Sequence, residues 1–283
     1  RANAINKAIF DLKTGDILIV AGKGHEKIQE YKKIKKSFSD QQQILKNITI
    51  KNKTLSNNVK LNILKELSNS NNISPKLKIE NASINSKEIK KNSIFFALKG
   101  KNKDGNLFVN EAFAKGASLA IVNNQKESKK KIVVKNTLKF LTEASSILRE
   151  NLSSKIISIT GSSGKTSLKE LIGRSLNKIC QTTYSPKSFN NKFGVPLSLF
   201  NLKKNDAFGV FEIGMDKMGE IDYLSKIIKP DVGVITNISY AHIKNFENIN
   251  QIALAKSEII NNIKDDGYLI LNKDDKFYNF HKK

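Results

Sequence analysis

Apolar positions along this chain change period several times, and each change marks an element. Ala4, Ile5, Ala8 and Ile9 share one face of a helix. The turn residues Thr14-Gly15-Asp16 come next, and then the run Ile17-Leu18-Ile19-Val20-Ala21 predicts a buried strand. That strand would end in Gly22-Lys23-Gly24-His25-Glu26, a loop where ligands sit in open α/β sheets. Residues 47–78 are polar and read as a linker leading into a first helix, carried by the amphipathic stretch at Val59, Leu61, Ile63, Leu64 and Leu67.

From about residue 79 the pattern alternates. The run Ile94-Phe95-Phe96-Ala97-Leu98 predicts a buried strand closed by Lys99-Gly100, and residues 119–122 and 132–134 predict two more. Residues 108–115 read as a helix ended by Gly116, and 138–151 as a helix leading onward. Strands are then expected at 156–160, 208–213, 232–236 and 268–271, with helices at 166–178, 217–228 and 249–263. Strict alternation of this kind makes a parallel sheet with helical crossovers. The expected fold class is α/β.

Composition changes this picture little. No apolar run reaches the ~20 residues that span a bilayer, and the N-terminus lacks a signal pattern. The single cysteine, Cys180, excludes an internal disulfide and fits a reducing, cytoplasmic setting. The net charge of +23 invites a nucleic-acid reading. Lysine is enriched even in obvious loops, however, and Lys129-Lys130-Lys131 carries no aromatic residue on which a base would stack. No nucleic-acid partner and no membrane insertion are expected, and the chain reads as a monomer.

The most informative segment is Thr160-Gly161-Ser162-Ser163-Gly164-Lys165-Thr166, placed between a predicted strand and a predicted helix. Glycines let backbone N–H groups curl around phosphate oxygens, and the helix N-terminus adds partial positive charge. Lys165 would neutralise the β- and γ-phosphates of ATP, and the Thr166 hydroxyl would bind Mg²⁺. The general motif asks for a further glycine where this chain has Ile159, so the loop is a shortened variant. Glu212 ends the strand at 208–213, where a carboxylate costly to bury suits a metal role or an ion pair. By local chemistry alone His242 is an ordinary loop histidine, and Lys256 reads as a solvated helix residue.

In order, the segments Thr160 to Ser167, Phe189-Asn190-Asn191-Lys192-Phe193-Gly194-Val195-Pro196, Glu212-Ile213-Gly214-Met215, Gly219-Glu220-Ile221, Thr236-Asn237-Ile238 through Ala241-His242, Ala255-Lys256-Ser257-Glu258-Ile259 and Leu271-Asn272-Lys273-Asp274 resemble the Mur ligase family. The resemblance covers about residue 59 to the end, and is to the branch that adds D-alanyl-D-alanine to UDP-N-acetylmuramoyl-tripeptide. It implies an ATP- and Mg²⁺-dependent amide ligase of peptidoglycan synthesis. Gly161, Ser162, Ser163, Gly164, Lys165, Thr166 and Ser167 would hold the phosphates, with Asn272 and Asp274 near the adenine. Thr166 and Glu212 would hold one metal, and His242 and a carbamylated Lys256 would serve a second, so that Lys165, His242 and Lys256 form the catalytic set. Asn190 and Asn191 would face the muramoyl peptide, and Ser86, Lys87 and Asn106 the uridine and its phosphates. The family tends to have Asp-Ser-Arg where this chain has Asn85-Ser86-Lys87, so a point charge replaces a planar fork. It often has His where this chain has Asn106.

Residues 1–46 resemble the end of the diaminopimelate-adding branch of the same family, with Gly22 and Glu26 at diaminopimelate-contacting positions and a closing helix starting near Phe38-Ser39-Asp40. The expected organisation is a partial Rossmann-like remnant (1–46), a linker and the start of the next domain (47–78), a small UDP-binding α/β domain (79–151) and a parallel-sheet phosphate-loop ATPase domain (152–283). Arg1 already lies inside a helical pattern and the chain stops soon after a strand and turn, so the expectation is an incomplete, inactive piece of a fused bifunctional ligase. Two rivals stay open. A folylpolyglutamate synthase-like ligase shares the phosphate loop, and a non-catalytic nucleotide-binding protein would need no second substrate.

Overall fold

The computed structural model describes residues 1–12, 16–22, 26, 28–31, 34–70, 72–100, 103–240 and 245–282. They divide into two compact units, Arg1–Val59 and Lys60–Lys283.

In the first unit α1 (Ala2–Asp11) buries Ile5 and Ile9, as its period requires. An antiparallel hairpin follows, β1 (Ile28–Tyr31) with β2 (Ile34–Ser37), and then α2 (Asp40–Asn57), which packs on α1. Two expectations fail here. The run 17–21 forms no strand, and Ile17 and Ile19 are 87% and 83% exposed. β1 and β2 use their hydrogen bonds on each other, so no described strand of this unit pairs with the run. The first part of the supposed linker is also helical, because α2 continues to Asn57, whereas α3 (Val59–Ser68) is the first helix expected at the amphipathic stretch. No glycine or proline interrupts residues 38–74, so polar composition alone does not break the helix.

The second unit holds two parallel sheets. The smaller has the order β3 (Asn81–Ser83), β4 (Ser93–Phe96), β5 (Ala117–Val122), β6 (Lys131–Val133). Phe95, Ala97, Ala120 and Val122 pack against Val109 and Ala112 of α4 (Val109–Ala114). α5 (Thr137–Glu150) then leads to the larger sheet, which comprises β7 (Lys155–Thr160), β8 (Thr182–Tyr184), β9 (Phe208–Glu212), β10 (Val232–Ile235) and β11 (Tyr268–Leu271). Its strands run parallel in the order β11-β10-β7-β9-β8.

Helices α6 (Lys165–Asn177), α7 (Gly194–Phe200), α8 (Glu220–Ile228), α9 (Ile249–Ser257) and α10 (Tyr278–Lys282) complete the unit. On one face Leu168, Ile172 and Leu176 of α6 cover Ile159, Val210 and Val234. The two sheets do not form separate compact units, because α5 and α7 lie between them. Phe96 of β4 meets Phe200 of α7 edge to face at 5.5 Å. Ser145 of α5 donates to Pro196 O at 2.8 Å. Asn201 completes the outer edge of β3, its amide accepting from Ala82 N–H at 2.7 Å and donating to Ala82 O at 3.0 Å.

β7 is central, and its neighbours β9 and β10 are in register with it, Ile159 opposite Glu212 and Thr160 opposite Ile235. The carboxyl ends of three strands therefore open onto one crevice, where ligands bind in open parallel sheets.

Candidate nucleotide-binding site

β7 leaves the sheet at Thr160, and the chain turns at once at Gly161 with φ +145°. A side chain there would put its Cβ 1.9 Å from Thr236 Oγ1. Gly164, φ +77°, caps α6 in a left-handed conformation that costs glycine nothing. The loop so formed leans on the end of β10. Asn237 Oδ1 accepts from Ser163 N–H at 3.0 Å, and its amide donates to Ser163 Oγ at 2.8 Å. Thr236 Oγ1 donates to Ser163 O at 2.7 Å, and Ser162 N–H to Asn237 O at 2.9 Å. Thr236 and Asn237 are 73 and 74 residues from Ser163 along the chain. Their task as a buttress of the loop is visible only once β10 is placed beside β7.

The Lys165 ammonium donates to Gly161 O at 2.8 Å, within the curve of the loop. Burial lowers its pKa, and the charge of Glu212 works the other way. Glu212 is 1% exposed at the end of β9. Thr166 Oγ1 donates to its Oε2 at 2.7 Å and the Asn190 amide to its Oε1 at 2.7 Å. Thr166 and Glu212 thus present hydroxyl and carboxylate oxygens side by side, the hard donor set that Mg²⁺ requires. Lys256 is 2% exposed and without a hydrogen-bond partner among the described residues, which corrects its reading as a solvated group. Burial, and secondarily the charge of Lys165, brings its ammonium down from 10.5 to about 7. The segment beyond it is tied to α8, where the Glu258 carboxylate accepts from Gly219 N–H at 2.7 Å and Asp222 N–H at 3.0 Å.

Lys165, Asn190, Asn191, Met215, Tyr223 and Lys256 line a cavity of about 680 Å³. A neighbouring cavity of about 450 Å³ is lined by Ser86, Lys87, Phe108, Phe189, Asn191 and Phe193. Asn191 and Phe193 border both. The Asn191 side chain itself caps α7, accepting from Phe193 and Gly194 N–H at 3.0 Å each.

Other expected residues fall elsewhere. Asn106 is buried and donates to Asp104 Oδ1 and Asn123 Oδ1, both at 2.6 Å, so its amide shapes the β4–α4 loop and lines neither cavity. Ser86 lines the smaller cavity with its hydroxyl donated to Glu111 at 2.9 Å. Ser167 is exposed on the first turn of α6. Asn272 and Asp274 are exposed at the end of β11, Asn272 Oδ1 accepting from Asp274 N–H at 3.0 Å. The neighbouring Asp275, outside the expected set of site residues, holds the β10 loop by accepting from Ile238 N–H at 2.7 Å. Gly22 and Glu26 belong to the first unit and are exposed. Lys23, Gly24, His25 and His242 lie outside the described residues.

A glycine-bearing loop between a central parallel strand and its helix, with a buried carboxylate at the next strand end, defines a phosphate-loop nucleotide-binding α/β protein. Residues 78–149 match the Mur ligase family catalytic domain and residues 159–283 the Mur ligase middle domain. The chain belongs to the Mur ligase family. Among similar proteins is the UDP-N-acetylmuramoyl-tripeptide--D-alanyl-D-alanine ligase of Rickettsia prowazekii, 38% identical over 210 residues, 73% of this chain and 46% of that protein. The protein of the same name from Buchnera aphidicola subsp. Baizongia pistaciae is 36% identical over 210 residues, with the same coverage. Among solved structures, MurF from Acinetobacter baumannii superposes with a TM-score of 0.68 at 33% identity, covering 78% of this chain and 50% of that one. MurF from Thermotoga maritima in complex with ADP gives 0.60 at 32% identity, covering 69% and 46%. The chain spans about half the length of the curated relatives it matches.

Proposed function

We propose that residues 60–283 bind ATP and the UDP-linked substrate of a ligase that joins D-alanyl-D-alanine to UDP-N-acetylmuramoyl-tripeptide. The observation that carries this reading is the adjacency of the two cavities. One reaches Lys165 and Lys256, the other reaches Ser86 and Lys87, and Asn191 and Phe193 border both. A nucleotide-binding protein with no second substrate has no use for the smaller cavity, and a folylpolyglutamate synthase-like ligase leaves its Ser86–Lys87 wall unexplained. The activity for which these relatives are named supplies the identity of the substrates.

Joining a carboxylate to an amine in water is uphill. The tripeptide's terminal carboxylate therefore attacks the γ-phosphorus of ATP, ADP leaves, and the D-alanyl-D-alanine amine displaces phosphate from the acyl phosphate. Both partners of the first step are anions. Lys165 and the backbone N–H groups at the start of α6 hold the transferred phosphoryl group, and Asn190 keeps Glu212 in place. Thr166 and Glu212 would hold Mg²⁺, which when bound draws charge from the phosphate oxygens. Lys256, buried and easily deprotonated, is suited to carbamylation, which would give it a carboxylate-like end beside Lys165. His242 would serve a second metal in this reading. The reaction belongs to the cytoplasm.

For residues 1–46 the reading extends to the end of a diaminopimelate-adding ligase, supported by the Gly22–Glu26 segment and by a helix that starts at Asp40 as that resemblance requires. The open reading frame on both sides of the chain tests this part. The ligase reading is tested by Lys165→Ala in the intact gene product, which should abolish acyl-phosphate formation and ADP release. ADP release near the unaltered rate would overturn it.

A further inference from the structure

A fully buried cation lies one helical turn beyond the phosphate-loop lysine, and the site described above makes no use of it. Lys169 sits four residues after Lys165 on the same face of α6 and is 0% exposed. Its ammonium donates to Ser185 O at 2.6 Å and Lys187 O at 2.7 Å, and lies 2.9 Å from the Glu170 carboxylate. An ammonium has three donors, and these three acceptors match them. Burying a charge away from any phosphate is tolerated only because of that match.

The two carbonyls open the segment that runs from β8 to α7. Ser185 is pinned to β9 by its N–H, which donates to Val210 O at 3.0 Å, and its hydroxyl oxygen is 3.5 Å from the Glu212 N–H. Lys187 has φ +49°, a left-handed conformation uncommon for a non-glycine residue, and its carbonyl is the one Lys169 holds. Three residues on, Asn190 donates its amide to Glu212 Oε1, and its own carbonyl accepts from Gly214 N–H at 2.8 Å. Lys169 therefore reaches Glu212 by two routes, through Ser185 beside its backbone and through the segment that delivers Asn190 to its carboxylate.

The geometry points to Lys169 as a positioning residue for the metal-binding carboxylate. By clamping the carbonyls of Ser185 and Lys187 it sets Asn190 against one oxygen of Glu212 and leaves the other facing Thr166. This role rests on the nucleotide-site reading above. A lysine that only stapled the fold would lower stability when replaced, without touching metal affinity in the molecules that remain folded.

The test uses the whole 283-residue chain with ADP and Mn²⁺ as probes. Calorimetry reads ADP binding without divalent metal, and the electron-spin signal of free Mn²⁺ reads metal binding to the ADP complex. Lys169→Met, and Lys169→Gln as a less disruptive second variant, should bind metal-free ADP within about twofold of the unaltered chain. Both should lose about tenfold or more in Mn²⁺ affinity, the usual cost of removing support behind a metal ligand. Unchanged Mn²⁺ affinity in either folded variant, or an equal loss of metal-free ADP binding, would overturn the role of Lys169. If the unaltered chain binds no ADP, the nucleotide-site reading itself fails and takes this role with it.

Discussion

The hydroxyl of Thr166 donates to the buried carboxylate of Glu212 at 2.7 Å, joining the first turn of α6 to the end of β9. Glu212 lies in the same crevice as the phosphate loop, so its negative charge opposes an incoming polyphosphate unless a cation stands between them. Glu212→Gln keeps the shape and removes that charge. Metal-free ADP should then bind more tightly, by up to about tenfold for a unit charge at such range. Mn²⁺ affinity in the ADP complex should fall by about ten- to a hundredfold. Titrations in which both affinities move in the same direction would contradict the metal assignment.

Gly161 is the loop position with least freedom for substitution. It combines φ +145° with a Cβ position only 1.9 Å from Thr236 Oγ1, the atom that braces Ser163. Gly161→Ala must therefore distort the backbone or push Thr236 off the loop. Backbone strain of this kind costs about 1–3 kcal/mol. The expected result is a lower unfolding midpoint in urea together with loss of ADP binding. A variant that keeps both would show that the loop adapts more freely than its contacts imply.

These two residues also show which parts of the molecule were legible in the sequence. The loop from Thr160 to Thr166 could be read because strand, turn and helix are each encoded within a few neighbouring residues. Glu212 was placed correctly at a strand end for the same reason. Asn237 and Asp275 could not be assigned work, since their partners are 74 and 37 residues away in the chain. β8 and α7 went unpredicted because β8 has only three residues and α7 carries Pro196 in its first turn. Ile17-Leu18-Ile19-Val20-Ala21 misled in the opposite way. Its apolar pattern is that of a strand, but a strand also needs a neighbour to pair with, and pairing is not a local property.

Arg149 and Asp231 make a buried ion pair at 2.8 Å that ties α5 to the start of β10. Arg149 also donates to Ile228 O, Ser154 O and Lys229 O, and Asp231 accepts from Ile156 N–H, so the pair fastens the larger sheet to the helix between the two sheets. Burial alone would raise the Asp231 carboxyl. The hydrogen bonds from Ile156, Lys264 and Lys155, with the Arg149 charge, bring it below the ordinary value. A depressed carboxyl contributes stability above its unfolded pKa and loses it as pH falls through the folded one. Arg149→Met should cost about 3–5 kcal/mol at neutral pH, because it leaves a buried charge short of its partner. Acid unfolding of the variant should also begin at a higher pH. Urea titrations at pH 7 and pH 4 measure both effects, and a cost below about 1 kcal/mol would mean that Lys155 and Lys264 suffice to hold Asp231.

Lys256 supplies a pH dependence of opposite sign. Its ammonium loses its proton at about 7 in the folded chain, against 10.5 for the ordinary side chain. Between these values the unfolded chain binds more protons, so stability rises with pH across that window. Below about pH 7 both states are protonated and the full cost of burying the charge is felt. At about 1.4 kcal/mol per pKa unit that cost is of order 3–5 kcal/mol. Lys256→Met should therefore be more stable than the unaltered chain at pH 6, and the gap should close towards pH 10. Burial also lowers Lys60, to about 8, and its slope remains in both proteins, so the difference between them isolates Lys256. The neutral amine available above pH 7 is the form that attacks CO₂, forming an N–C bond and releasing a proton to solvent. With ¹³C-bicarbonate at pH 8, a carbamate resonance should appear in the unaltered chain and be absent from Lys256→Met. A pH-independent stability gap together with no carbamate signal would return Lys256 to the role of a packed helix residue.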